Sequence, residues 1–148
     1  MAGHTVAIAC DHAGLNLKSQ LKADLEEAGY NVLDLGTNGP ESVDYPDFGF
    51  ALAKAIEEGK AEKGVLVCGS GIGISIAANR NPAVRAAPVT NALTAKLARQ
   101  HNDANVVCFG ERLVGSEIAR DAMKVFLETD FEGGRHARRV DKLAASQT

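Results

Sequence analysis

Apolar positions along the chain follow two periods in turn. Thr5 to Cys10 reads TVAIAC, a short unbroken apolar run that predicts a strand buried on both faces of a sheet. Leu15, Leu17, Leu21 and Leu25 then recur near helical spacing, with Lys18, Lys22, Glu26 and Glu27 between them, until Gly29 closes the helix. The succession repeats: NVLDL at 31–35 as strand, a Gly-, Pro- and Ser-containing loop from Gly36 to Pro46, a helix from about Pro46 to Glu58, and KGVLVC at 63–68 as strand. Beyond the turn GSGIG, the pattern predicts a helix over Ile72–Asn79, a strand at Val84–Val89, a helix over Ala92–Gln100, a strand at Asn105–Phe109 and a helix over Ser116–Glu128. HARRVDKLAAS at 136–146 predicts one more helix.

Strands alternating with helices in this way predict an α/β protein. The expected architecture is a three-layer, doubly wound Rossmann-like fold with a five-stranded parallel sheet, because right-handed crossovers place helices on both faces. In such sheets the crevice that binds ligands lies beyond the C-terminal ends of the strands. The chain's unusual residues fall there: Cys10, Asp11 and His12 after the first strand, Cys68 and its glycines after the third, and Gly110, Glu111 and Arg112 after the fifth.

Composition narrows the class. A chain of 148 residues, 45% hydrophobic and 24% charged, predicts a single domain over 1–148, with the last helix from about 136. Sixteen Lys and Arg against 19 Asp and Glu give a net charge of -3, so neither nucleic acid nor a membrane is an expected partner, and any anion site must be local. The absence of Trp and the 5% aromatic content leave few platforms for stacking bases. The 3 cysteines are odd in number, widely spaced and without a C-x-x-C pair, which fits neither a disulfide framework nor a zinc ribbon. With no basic leader and no apolar stretch approaching about 18 residues, a reducing cytoplasm is the expected location.

Gly69, Gly71 and Gly73, at alternate positions ahead of a helix, allow successive backbone N–H groups to converge on an anion. The loop lacks the third glycine of a dinucleotide fingerprint and the Gly-Lys-Ser/Thr of a P-loop. It also lacks the close arginine of a cysteine phosphatase, since the first after Cys68 is Arg80. Cys68 sits where a helix N-terminus and converging amides would stabilise a thiolate, from an ordinary value of about 8.5, and would serve as base or nucleophile; its plainer reading is a small buried hydrophobe. Cys10 and Cys108 have no such loop and keep that plainer reading. Asp11 and His12 are placed to hydrogen-bond a polyol or anion, or Asp11 simply caps a helix. His101 is either a dipole partner at a helix end or an acid–base group. Arg135 and Arg139, four apart, suit a phosphate dianion, whereas Arg138 and Lys142 read as solvated surface. Together, these groups suggest one small substrate with a reacting end and a phosphate end.

In six segments the chain resembles the type B ribose-5-phosphate isomerases, of the family that also holds the subunits of galactose-6-phosphate isomerase. They are CDHAG at 10–14, DYPD at 44–47, CGSGIGISIAANR at 68–80, RQHNDANV at 99–106, FGERLVG at 109–115 and FEGGRHARR at 131–139. The resemblance implies an aldose–ketose isomerisation through a cis-enediolate, with no metal or cofactor. Cys68 would be the base between C1 and C2, the amides of Gly69, Ser70, Gly71, Ile72 and Gly73 would stabilise the enediolate oxygen, and Ser70, standing where Thr is frequent, would help move protons between O1 and O2. His101 would open the furanose ring with Asp11 as partner, Tyr45 and Asn102 would orient the sugar, and His12, Arg112, Arg135 and Arg139 would hold the substrate and its phosphate. Another branch of the family uses a Glu after the glycine loop as base; Ile74 and Ser75 stand there, which places this chain with the cysteine users. The resemblance also implies a homodimer or dimer of dimers whose site lies between subunits, and a place in the pentose phosphate pathway. Two alternatives stay open: the same chemistry on a tetrose, allose or galactose phosphate, and a nucleotide-binding module without catalysis.

Overall fold

Every predicted strand is present in the computed structural model, which describes residues 3–145. The strands are β1 (Thr5–Cys10), β2 (Asn31–Asp34), β3 (Lys63–Cys68), β4 (Ala86–Pro88) and β5 (Val106–Gly110). They form one parallel sheet in the order β2-β1-β3-β5-β4. The helices are α1 (Leu15–Glu27), α2 (Tyr45–Glu57), α3 (Ile72–Ala78), α4 (Ala92–Asn102), α5 (Ser116–Glu128) and α6 (Arg135–Ala144). Ser146, the predicted end of the last helix, lies outside the described residues.

Alternate residues of the central strands feed two separate cores, as a pleat requires. Val6, Ile8, Val65, Val67, Val107 and Phe109 face Leu17, Leu21 and Leu25 of α1, Ala95 of α4 and Ala122, Met123 and Phe126 of α5. Ala7, Ala9, Leu66, Cys68, Val106 and Cys108 face Leu52 and Ala53 of α2 and Ile74 and Ala78 of α3. This gives the predicted three layers. Gly49 permits α2 to lie close on α3, because a Cβ there would stand 2.8 Å from that of Ala77. The chain leaves β1 toward one edge for β2 and later builds β3 on the other side of β1, so the topological switch lies between β1 and β3.

The boundaries shift where side chains take over from the ladder. Strand β4 is shorter than the predicted Val84–Val89 because the Arg85 N–H is bound by the Asn105 carboxamide at 2.8 Å and the Ala86 N–H by that of Asn79 at 2.7 Å. Pro88 is tolerated because β4 is an edge strand. Helix α4 runs on through His101 and Asn102 and stops at Asp103, in the left-handed region at φ 47°, whose N–H returns to the carbonyls of the last turn.

Lys18, on α1 and only 2% exposed, is the most deeply buried charged side chain among the described residues. Its three ammonium protons meet three acceptors: Asp34 Oδ1 at 2.9 Å, the Thr37 carbonyl at 2.7 Å and Asn38 Oδ1 at 2.8 Å. Asp34 also accepts from Lys22 and from the Gly36 N–H. Burial opposes ionisation of Asp34, but the hydrogen bonds from Lys18, Gly36 and Lys22, with the Lys18 charge, outweigh it and hold the carboxyl below its ordinary value. The cluster fastens the segment after β2 to the end of β1, where Gly36 accepts from the Cys10 N–H and Thr37 donates to the Cys10 carbonyl, both at 2.7 Å.

Lys18→Met is therefore expected to cost about 3–5 kcal/mol in urea unfolding, since it leaves Asp34 charged and half-paired. Asp34, with its folded pKa depressed, contributes stability that is complete above about pH 4 and is lost as the pH falls through the folded value. Unfolding midpoints measured between neutral and acid pH should fall less steeply in Asp34→Asn than in the wild type.

Candidate active site

Parallel pairing sets Cys10 beside Val67, and Cys68 beside Gly110, so three strand ends open on one edge. Cys68 is 5% exposed, and the Gly71 N–H donates to its Sγ at 3.2 Å, the hydrogen bond a thiolate would accept. The loop obtains this geometry by placing Gly71 in the left-handed region at φ 77°, with no room for a Cβ, which would lie 2.9 Å from the Phe109 carbonyl carbon. Gly110 is equally constrained, since its Cβ would meet the Ser70 backbone at 2.5 Å. The Ser70 hydroxyl accepts from the Ile72 N–H at 3.2 Å and remains half-exposed. The loop after β5 lies on this turn: the Glu111 N–H donates to the Cys68 carbonyl and the Arg112 N–H to that of Gly69. Arg112 passes over Gly69, where a Cβ would be 3.5 Å from its guanidinium carbon.

The loop after β1 supplies the other wall. Asp11 is buried, and its Oδ1 accepts from the Ala13 N–H at 3.0 Å, capping a short 3-10 turn over His12–Gly14; the capping alternative is thus realised. The Val43 N–H donates to His12 Nδ1 at 3.2 Å, which leaves Nε2 as the ring nitrogen able to donate. Tyr45 opens α2, and its ring lies against Gly73, where a Cβ would come within 2.6 Å of it. Glu111 Oε1 accepts from the Leu17 N–H at 2.7 Å and so occupies the N-terminus of α1.

Cys10 and Cys108 behave as buried thiols. Burial raises the Cys10 thiol to about 12 against the pull of Lys18, and its Sγ–H donates to the Thr37 carbonyl at 3.7 Å. Burial, and then the neighbouring Cys68, push Cys108 up further. Both therefore stay protonated at neutral pH.

Within one chain these groups fall into two sets. Helix α4 begins beyond the C-terminal end of β4 and runs back, so its last turn lies at the opposite edge of the sheet. There the Asp103 carbonyl accepts from Arg85 Nε at 2.8 Å, just ahead of β4, and the Asn105 carbonyl accepts from the Gly64 N–H at 2.9 Å, at the start of β3. Gly64 and Cys68 are separated by the length of the strand, roughly 13 Å at about 3.3 Å per residue. His101 and Asn102 thus lie at the far edge, with α6 packed on α4. They line a cavity of about 230 Å³ with His136, Arg139, Val140 and Leu143. Arg135 and Arg139 are exposed on α6, one turn apart.

His136 in this cavity carried no role in the sequence reading, although it stood between the two arginines. Its ring stacks on that of His101 with centroids 4.5 Å apart and planes 14° from parallel. His101, Glu132 and His136 bring three donor atoms within 4.8 Å of one another. Near-parallel rings direct their in-plane lone pairs side by side, so a shared metal would require one ring to turn. A larger hollow of about 1210 Å³ between α1 and α5 is acidic, with Arg120 held by Asp24, and has no thiol or glycine loop.

The model of the Ribose/Galactose Isomerase family matches residues 6–143. Ribose-5-phosphate isomerase B of Escherichia coli is 44% identical over 140 residues, which cover 95% of this chain and 94% of that protein. Among solved structures, the ribose-5-phosphate isomerase B of Clostridium thermocellum superposes with a TM-score of 0.93 at 48% identity, covering 95% of each chain. That of Mycoplasma genitalium, with bound ribulose-5-phosphate, does so with a TM-score of 0.93 at 41% identity, covering 97% of this chain and 96% of that one.

Gly71→Ala tests the loop. With a positive φ and backbone 2.9 Å from the added carbon, it should lose about 1–3 kcal/mol in thermal unfolding and turn the amide away from Cys68. An unchanged melting temperature would contradict this geometry.

Proposed function

The chain belongs to the ribose/galactose isomerase family, and on that footing we propose that it interconverts D-ribose 5-phosphate and D-ribulose 5-phosphate, with Cys68 as the base. It is an aldose–ketose isomerase that acts on a sugar phosphate. The observation that carries the residue assignment is the Gly71 N–H on Cys68 Sγ inside the glycine turn ahead of α3. An enediolate needs a base beside groups that accept growing negative charge on oxygen, and this turn offers both.

The sugar first opens: the C1–O4 bond breaks, O4 gains a proton and the hydroxyl on C1 loses one, giving the aldehyde. His101 serves this step, with Asp11 as the second proton carrier. Cys68 then takes the proton from C2 and returns it to C1, while Ser70 passes the hydroxyl proton between O2 and O1. The amides of Gly69 through Gly73 hold the oxygen on which charge develops. Tyr45 and Asn102 orient the carbon chain, and His12, Arg112, Arg135 and Arg139 hold the substrate and its phosphate. The reaction needs no metal or cofactor, and we place it in the cytoplasm, in the pentose phosphate pathway.

The active unit is a homodimer or dimer of dimers with the site between subunits, the whole chain acting as one domain. Two observations support this. Cys68 and His101 sit at opposite edges of one sheet, so a single substrate reaches both only if the second comes from a neighbour. Ile72 and Ile76 on α3, and Leu93 and Leu97 on α4, form exposed apolar pairs at i, i+4, the first directly over the glycine turn.

Proton NMR of ribose 5-phosphate in D2O, with EDTA present and tetrose and hexose phosphates as competitors, should show conversion to ribulose 5-phosphate with deuterium entering at the transferred position. Cys68→Ala should lower turnover by about three orders of magnitude with phosphate affinity nearly intact, whereas Arg139→Ala should raise KM. A fully active Cys68→Ala protein would remove the base assignment. Mixing inactive Cys68→Ala and His101→Ala chains under exchange should restore about a quarter of wild-type activity, because half the dimers then hold one intact site. No recovery would place both residues on the same subunit.

A further inference from the structure

At the far edge of the sheet Glu132 has no part yet in binding or proton transfer. Its N–H donates to the Gln100 carbonyl at 3.1 Å, which pins its main chain against the last turn of α4, one residue from His101. Its Oε1 stands 3.9 Å from His101 Nε2 and 3.5 Å from His136 Nε2. The His101 side chain is 42% exposed and would swing freely on a helix end were it not stacked on His136, which is buried. His136 thus sets the plane of the His101 ring, and Glu132 faces its edge. The neighbouring carboxylate, Asp103, is committed to Arg85 and Arg99. Arg139 lines the cavity beside His101, and Glu132 Oε1 is the carboxylate oxygen that approaches both imidazoles.

We propose that Glu132 is a positioning residue for His101, holding the ring edge-on and stabilising the imidazolium through which the ring-opening proton passes. This rests on the reading of His101 as the group that opens the furanose. The chemistry supplies the reason: an imidazole that delivers a proton to O4 as C1–O4 breaks does so from its cationic form, and a carboxylate at ion-pair distance offsets the arginines that disfavour that charge. The step needs no further reactant, for the proton lost by the C1 hydroxyl balances the one gained by O4.

Ring opening and enediolate chemistry can be timed separately. Ribose 5-phosphate starts as a furanose, whereas ribulose 5-phosphate is acyclic because its 5-oxygen carries the phosphate. Glu132→Gln should slow conversion of ribose 5-phosphate about tenfold while C1 hydrogen exchange of ribulose 5-phosphate in D2O stays within about twofold. Glu132→Asp, which keeps the charge, should recover part of the loss. Equal losses in both assays, or none in either, would overturn the proposal. His101→Ala measured alongside separates the two levels. If it shows no split, the ring-opening reading of His101 fails; if it splits and Glu132→Gln does not, only the Glu132 assignment falls.

Discussion

Parallel pairing of β3 with β1 on one side and β5 on the other aligns the ends of three strands. Everything at the near edge of the molecule follows from that alignment. Backbone from three loops must then occupy the space of one, and side chains are excluded where they cross. Gly14 lies against Val67, Gly71 against Phe109 and Gly110 against Ser70, each closer than a Cβ allows. The same crowding leaves the amides of the 68–73 turn without helical partners and directs one of them at Cys68.

A parallel sheet imposes a second consequence. Each helix must return across the face before the next strand begins, so whatever stands at a helix C-terminus is carried to the edge opposite the strand ends. His101 and Asn102 are in that position on α4, and α6 packs beside them with Arg139 lining the same cavity. One chain therefore carries Cys68 and His101 on edges separated by the length of a strand. The Ile72–Ile76 and Leu93–Leu97 pairs leave apolar surface exposed on α3 and α4.

At the near edge, Lys18 ties the fold to the loops that carry His12 and Tyr45. Its ammonium lies where the segment after β2 passes the end of β1, and the chain goes on from there to Val43, which orients His12, and to Tyr45, which rests on Gly73. A buried charge with every proton satisfied is tolerable in the interior and sensitive to loss of any partner.

The alternation of strand and helix, and the glycine turn after Cys68, were legible in the sequence because both depend on neighbours within a few residues: apolar periodicity sets the element, and a positive φ needs glycine. The Cys68 loop, Asp11, His12 and Arg112 fell on one edge for the same reason. The burial of Lys18 was not legible, because its acceptors come from residues 34, 37 and 38 and meet it only when β2 pairs with β1. The separation of His101 from Cys68 had a signal that went unused, since a helix between parallel strands must end at the far edge. The stacking of His136 on His101 and the approach of Glu132 had none, for they depend on how α6 settles against α4. Local periodicity and turn chemistry thus determined the layers and the reacting turn, whereas the partners of each buried charge and the division of the site were decided by packing between distant segments, which no short window of sequence contains.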